Sequence, residues 1–264
     1  MPAVGQLLSE YRKRQHISQM DLALLADVSS RHISFIETGR SNPSRAMLLR
    51  LAEVLGLPHR DCNLLLNSGG FSAAYSELDL DCQQMQEVRN ALQMILDNHN
   101  PFPALVMDSQ YNLLMANSTQ QRFMSQLLPA NQLNGQKNTP LNILEIVFDQ
   151  QAMRPLIANW DSVAGHLLRR LRRQVLAYGR QEHAALFEQL LNMQPPADWQ
   201  VPENNQDDGP MLTVDFKLGD VTLSVFSTLS QFGSALDIGV EEILIESYFP
   251  ADETSRQFFL HTDN

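Results

Sequence analysis

The sequence predicts two domains of different class: an all-α unit of five short helices, then an α+β unit with an antiparallel sheet of about five strands. Three observations predict it. Apolar residues at helical spacing, with caps and glycine stops, recur through residue 75. Beyond residue 80, alternating apolar stretches flank short turns, Gly219-Asp220 being the clearest. The chain has 264 residues, which fits two domains at roughly 100–200 residues each. The expected division is 1–75, a linker at 76–80, and 81–264.

In the first segment, Leu7, Leu8 and Tyr11 recur at helical spacing and Arg12-Lys13-Arg14 ends the turn, where cations are favoured. Ser18 caps a second helix, with Asp21 three residues on and Leu22, Leu25 and Ala26 as its apolar face. Ser29 caps a third, which buries Ile33 and Ile36 and is closed by Gly39. Asn42-Pro43-Ser44 opens a fourth, with Leu48, Leu51, Ala52 and Leu55 inward, ending at Gly56-Leu57-Pro58. A fifth runs from about Arg60 to Asn67 and stops at Gly69-Gly70.

The third helix presents Ser30, Arg31, His32 and Ser34 near its N-terminal end, all able to hydrogen-bond. A helix read into the major groove needs such side chains in its first turns. Arg31 suits guanine through two parallel hydrogen bonds, and serines suit several bases. The Gln19 amide suits a phosphate. Ser29, Arg40 and Asn42 complete the expected DNA-binding set. A plain helical bundle with a polar surface fits the composition equally well.

Charge does not decide between these. The whole chain carries −11. Met1–Leu78 holds eight Lys/Arg against seven Asp/Glu, and the remainder eleven against twenty-three. DNA contact therefore requires a local positive face on a nearly neutral segment.

In the second segment a helix is expected from about Asp81 to Asp97, then a break at Asn98–Pro103. Residues 104–108 and 111–115 read as a hairpin about Ser109-Gln110. Asn117 or Ser118 caps the next helix. Asn131–Pro140 reads as a polar loop, and a long helical region follows to about Met193. Within it Trp160, Val163, Ala164, Leu167, Leu168, Leu171 and Val175 form one apolar stripe, with Arg169 and Arg173 opposite and Arg170 and Arg172 at its flanks. This basic cluster binds DNA or an acidic head group on one reading. On the other it is a solvated helix face, which the amphipathic pattern favours. Trp160, Leu167, Arg170, Leu171 and Arg172 are the ligand-site candidates. Gln194–Pro210 reads as a loop, Met211–Leu218 and Val221–Leu229 as a hairpin, and Ile243–Phe249 as a last strand.

Ile17-Ser18-Gln19, then Leu22, Ala26, Ile33, Ile36, Glu37, Gly39-Arg40 and Pro43-Ser44, together resemble the phage repressor/Cro type of helix-turn-helix, the XRE family. In that family an arginine on the first helix pairs with a glutamate ending the recognition helix; Arg12 and Glu37 match. The inter-helix turn departs from the family pattern, with Asp27 where glycine is usual. Asp tolerates the left-handed conformation better than most residues. The strings from Ser30 to Arg40 and from Arg60 to Leu66, then Pro103–Asp108, Phe232-Gly233 and Ile245–Asp252, resemble a family of bacterial regulators. There an MmyB-like ligand-binding domain follows the helix-turn-helix. That resemblance implies a PAS-like second domain and a small hydrophobic ligand, fatty acids being the family's known class. The polar stretches 131–140 and 194–210 read as insertions relative to it.

An enzyme is not expected. No Gly-rich phosphate loop or Gly-x-Ser-x-Gly elbow occurs, and no nucleophile, base and orienting group are legible together. No metal is expected either, since the seven histidines make no pair at ligand spacing. Two cysteines, no secretory signal and no apolar run near ~18 residues suit a cytoplasmic protein without a membrane span. The expectation is a homodimeric DNA-binding regulator of double-stranded DNA that responds to a small hydrophobic ligand, with no cofactor. The alternative is a protein-interaction module whose helical bundle docks a partner.

Overall fold

The computed structural model describes residues 3–129, 140–201 and 211–261. It divides into two compact units, Met1–Asp79 with Gly233–Glu241, and Leu80–Phe232 with Glu242–Asn264. The sequence-based division placed 233–241 in the second domain. The structure assigns this segment to the first unit, although it lies between two strands of the second. No described helix is long and apolar enough to cross a membrane.

The first unit holds α1 (Val4–Arg14), α2 (Gln19–Leu25), α3 (Ser30–Glu37), α4 (Arg45–Val54) and α5 (His59–Ser68). Their starts are set by short polar side chains. Ser18 and Asp21 form a reciprocal capping box on α2. Ser29 Oγ accepts from the His32 amide at 3.2 Å, and Ser44 Oγ from the Met47 amide at 3.2 Å. The core gathers Leu8, Leu22, Ile33, Ile36, Leu48 and Leu65, all fully buried. Leu25, expected inward, is 59% exposed, and Ala23 is buried instead. Leu22, Ala23 and Ala26 carry the inner face, and Leu25, the last residue of the helix, falls on its outer flank. Asp27 adopts φ +51° and Gly39 φ +72°, so both expected left-handed positions are present.

The inserted segment completes this unit. It carries a short helix, Ile238–Glu241, whose Ile238 and Val240 are buried. The Ile238 amide donates to the Ser76 carbonyl at 2.9 Å, and Asp237 Oδ2 accepts from the Leu78 amide at 3.2 Å. Glu241 Oε2 accepts from the His59 amide at 2.9 Å, at the start of α5. Ser76 and Leu78, read from sequence as linker, are therefore tied down, one by a backbone bond and one by the Asp237 side chain.

The second unit is built on one antiparallel sheet of β1 (Ala104–Met107), β2 (Leu113–Ala116), β3 (Val214–Leu218), β4 (Val221–Ser230) and β5 (Leu244–Pro250). Their order is β2-β1-β5-β4-β3, the α+β domain expected. Side-chain alternation gives the sheet two apolar faces. On one, Ala104, Val106 and Ile245 meet Leu92 and Leu96 of α6 (Gln86–His99). On the other, Leu105 and Met107 meet Ala164, Leu168 and Leu171 of α9 (Trp160–Tyr178). Towards β3 and β4, Leu223 and Val225 pack with Phe123 of α7 (Ser118–Leu127).

Three local expectations change. The first hairpin has a longer turn, Asp108–Asn112, because Asp108 Oδ1 accepts from the Gln110 and Asn112 amides at 2.8 and 2.9 Å. A bulge between Val106 and Met107 absorbs the shift. The single long helical region is broken into α8 (Ile143–Phe148), a 3₁₀ turn Arg154–Leu156, α9 and α10 (Gln181–Asn192). Asp149, Pro155 and the left-handed Gly179 (φ +62°) mark the breaks. A final helix, α11 (Glu253–His261), was not expected; Asp252 starts it by accepting from the Ser255 amide at 2.7 Å. Asn117 does cap α7, and its Oδ1 also accepts from the Ala104 amide at 3.1 Å, joining that helix to β1. The loop expectations at 131–139 and 202–210 lie outside the described residues.

Candidate nucleic-acid interface and ligand cavity

α3 is held from below. Ile33 and Ile36 are fully buried, which turns Ser30 and Arg31 outward; His32 and Ser34 are half-buried. Ser29, Arg40 and Asn42 are exposed around its two ends. Phe35 sits between two arginines, with the Arg31 and Arg40 guanidinium carbons 5.0 and 5.9 Å from its ring centre. This cation–π contact restrains both long side chains.

Arg12 and Glu37 form a two-pronged ion pair, Nε–Oε1 2.6 Å and Nη2–Oε2 2.9 Å. Arg12 Nη1 also donates to the Ile17 carbonyl at 2.8 Å. Gln19 Nε2 donates to Glu37 Oε2 at 2.8 Å. The amide that the sequence assigned to a phosphate thus braces the ion pair. Burial pushes the Glu37 carboxyl up, but hydrogen bonds from Arg12 and Gln19 outweigh it and hold the group below the usual carboxylate range. The Arg12 guanidinium is raised, chiefly by its hydrogen bond to Glu37.

Ion pairing shows which cations of this neutral segment are left over. Asp27 pairs with Arg50 at 3.3 Å, Glu37 with Arg12 and Glu77 with Arg60. Arg31, Arg40 and Arg45 have no carboxylate partner among the described residues. Arg45, the first residue of α4, was not singled out from sequence, because nothing in a one-dimensional count shows which cations are already paired.

In the second unit a cavity of about 390 Å³ opens between the sheet and helices α7, α8 and α9. Its walls are mostly apolar, with Met107, Phe123, Val147, Leu167 and Phe216 among them. Such a volume and lining are typical of a small-molecule site. Of the side chains proposed from sequence, Leu167 and Arg170 line the cavity, and Trp160, Leu171 and Arg172 do not. Trp160 packs edge-on against Phe148, and Leu171 is fully buried in the core. The Arg172 guanidinium carbon lies 5.9 Å from the Trp199 ring. Arg169, expected to be solvated, donates to the Trp199 and Val201 carbonyls at 2.7 and 3.1 Å and so fastens that loop.

The polar lining is concentrated on β5 and α9. Glu246, buried in the central strand, accepts from Ser227 Oγ at 2.6 Å. The Tyr248 phenol, two residues on, is held well above its usual value, by burial first and then by the nearby Glu246 carboxylate. Arg170 lies with its guanidinium carbon 5.2 Å from the Tyr111 ring centre. His166, one turn before it, is lowered by burial and then by the charges of Arg170, Arg169 and Arg173.

Comparison with known proteins places both units. The model of the MmyB-like transcription regulator ligand binding domain matches residues 88–260. The chain belongs to the MmyB-like transcription regulators. A helix-turn-helix family model matches residues 8–62, so this regulator carries its ligand-binding domain behind a helix-turn-helix of XRE type. Among solved structures, it is similar to the restriction-modification controller protein C.AhdI from Aeromonas hydrophila. The match is 32% identical over 22% of this chain and 89% of that one, with a TM-score of 0.22. No curated protein matches the regulator. In the MmyB-like chain the helix-turn-helix is α2 and α3, and the domain that the first model matches contains the cavity and the whole sheet.

Proposed function

We propose that this DNA-binding transcription regulator reads double-stranded DNA as a homodimer and responds to a small hydrophobic ligand of the fatty-acid class. The observation that carries the DNA half is the set of uncompensated arginines about α3, with Arg31 and Arg40 bracketing Phe35. Ser29, Ser30, His32, Ser34 and Asn42 supply hydrogen-bonding groups beside them, and Arg31 is the candidate for a bidentate contact to guanine.

Arg31→Ala is expected to cost about 1–3 kcal/mol at one base position and to relax preference there. A mobility-shift assay across single-base variants of a selected site reads this directly. Unchanged preference in the variant rejects Arg31 as a base reader. Binding that does not weaken between 50 and 200 mM salt would favour a docking surface for a protein partner, because several phosphate contacts impose a steep salt dependence.

A dimer places two copies of α3 about 34 Å apart on a pseudo-palindromic site. Sedimentation equilibrium of the full chain is expected to give twice the monomer mass of 29.9 kDa. A monomer that also binds a single half-site as tightly as a full site would overturn this part of the proposal. For the ligand, the support is the apolar cavity with Arg170 in its lining, an apolar interior and a cation suited to a carboxylate.

A further inference from the structure

A plain saturated fatty acid offers one polar group, its carboxylate. The cavity offers more than one place to receive polarity, and two of them are acceptors. Glu246 sits in the middle of the sheet, opposite Leu105 of β1 and Leu229 of β4. An ionised carboxylate has about four acceptor positions on two oxygens, and the Ser227 hydroxyl occupies one of them. Gln120, in the first turn of α7, is only 6% exposed and also lines the cavity. Its Oε1 has no hydrogen-bond partner and lies too deep for a ligand atom to reach until the side-chain amide rotates towards the cavity.

A buried acceptor left without a donor costs free energy, which an alkyl chain laid against it does nothing to recover. A second carboxylate beside Glu246 would add charge repulsion. The anionic end of a ligand is therefore directed to Arg170, which has no carboxylate partner among the described residues. What Gln120 and Glu246 lack is a donor. An ammonium would supply one, but Glu246 already receives the Ser227 hydroxyl, and the Arg170 cation stands in the same cavity lining. A neutral donor suits this balance better than a second cation.

We infer that the ligand is a medium-chain acid bearing a hydroxyl along its chain, with the carboxylate at Arg170 and the hydroxyl donating to Gln120 or Glu246. The inference rests on the reading of this cavity as the ligand site. A cavity of about 390 Å³ lies in the lower part of the range for small-molecule sites, so a ten-carbon acid is the size to test. A site built to hydrogen-bond a hydroxyl discriminates strongly against the analogue that lacks it, because the protein's own polar groups are then left unpaired.

The test is titration calorimetry of the full chain with decanoate, 3-hydroxydecanoate, 10-hydroxydecanoate and 10-aminodecanoate. At least one hydroxy acid is expected to bind about tenfold or more tightly than decanoate. Gln120→Leu or Glu246→Leu is expected to shrink that preference to less than about threefold while decanoate still binds. If Glu246→Leu does not fold, the native panel and Gln120→Leu decide the matter. Decanoate binding as tightly as both hydroxy acids overturns the inference and leaves the cavity as a plain fatty-acid site. A preference for the amino acid overturns it in favour of a cationic donor. No binding by any of the four rejects the cavity as the acid-binding site and the inference with it.

Discussion

Replacing Arg12 with alanine is expected to destabilise the first unit by about 3–5 kcal/mol, the usual cost of removing one partner from a buried ion pair. The side chains of Arg12 and Glu37 are only 10% and 6% exposed. Without the guanidinium, Glu37 loses both short bonds and keeps the Gln19 amide at 2.8 Å. Burial, which already pushes this carboxyl up, then acts with much less opposition. The pH dependence follows from the sign of the native shift. Glu37 is depressed in the folded protein, so its contribution is present above the unfolded carboxylate pKa and is lost as pH falls through the lower folded value. In Arg12→Ala the loss appears already at neutral pH. Urea unfolding at pH 7 measures it, and Arg12→Lys should recover only part, because an ammonium lacks the planar fork. A loss below about 1 kcal/mol in Arg12→Ala would place the pair among ordinary surface bridges and refute its role as the brace of α3.

Gly5→Ala is expected to destabilise the protein by about 3 kcal/mol, in the upper part of the range for overpacking. A Cβ at Gly5 would lie 2.2 Å from the Ile36 carbonyl oxygen and 2.7 Å from that of Glu37. Both are backbone atoms at the end of α3, so no side chain can swing aside. The helices themselves must separate. The sign is informative because alanine is the better residue in an isolated helix by about 1 kcal/mol; local propensity and tertiary contact predict opposite outcomes. Gly233→Ala is the control. There nothing lies within 4 Å of the added Cβ, and the backbone is not left-handed. Thermal unfolding should show a large drop in Tm for the first variant and a small change for the second. A Gly5→Ala protein as stable as the native one would mean that α1 does not approach α3 this closely.

Both variants act on the placement of α3, and that placement was partly legible in the sequence. Ser18, Ser29 and Ser44 cap helices through contacts only three residues long, so their roles show in the order of residues. Asp27 was legible as a left-handed turn for the same local reason. Leu25 was misread because the inner face of α2 runs through Leu22, Ala23 and Ala26, and an i+3 leucine on the other flank of Leu22 looks equally inward from spacing alone. Arg169 looked solvated because its partners, the Trp199 and Val201 carbonyls, lie some thirty residues away.

The cavity was less legible than the reading helix. Leu167 and Arg170 fall on one stripe and could be proposed. Glu246 was hidden in an apolar run that reads simply as a buried strand, and its meaning depends on Ser227, which β4 brings opposite β5. Gln120 is an ordinary helix residue until α7 is seen to turn it inward. Pairing across a sheet and the facing of a helix are long-range facts, and periodicity within one element does not contain them.

The segment 233–241 has a consequence for modularity. Regulators of this architecture look like a reading head joined to a sensor, two cassettes that recombination or a protein engineer might exchange at residue 79. Here the gene does not divide that way. The head takes its last short helix, and the hydrogen bonds at Asp237 and Glu241, from coding sequence that lies inside the sensor. A graft cut at residue 79 would leave part of the head behind and carry into the hybrid an insert fitted to a different one. The two units are thus inherited as a matched pair, and a change of reading head requires editing the sensor's gene as well.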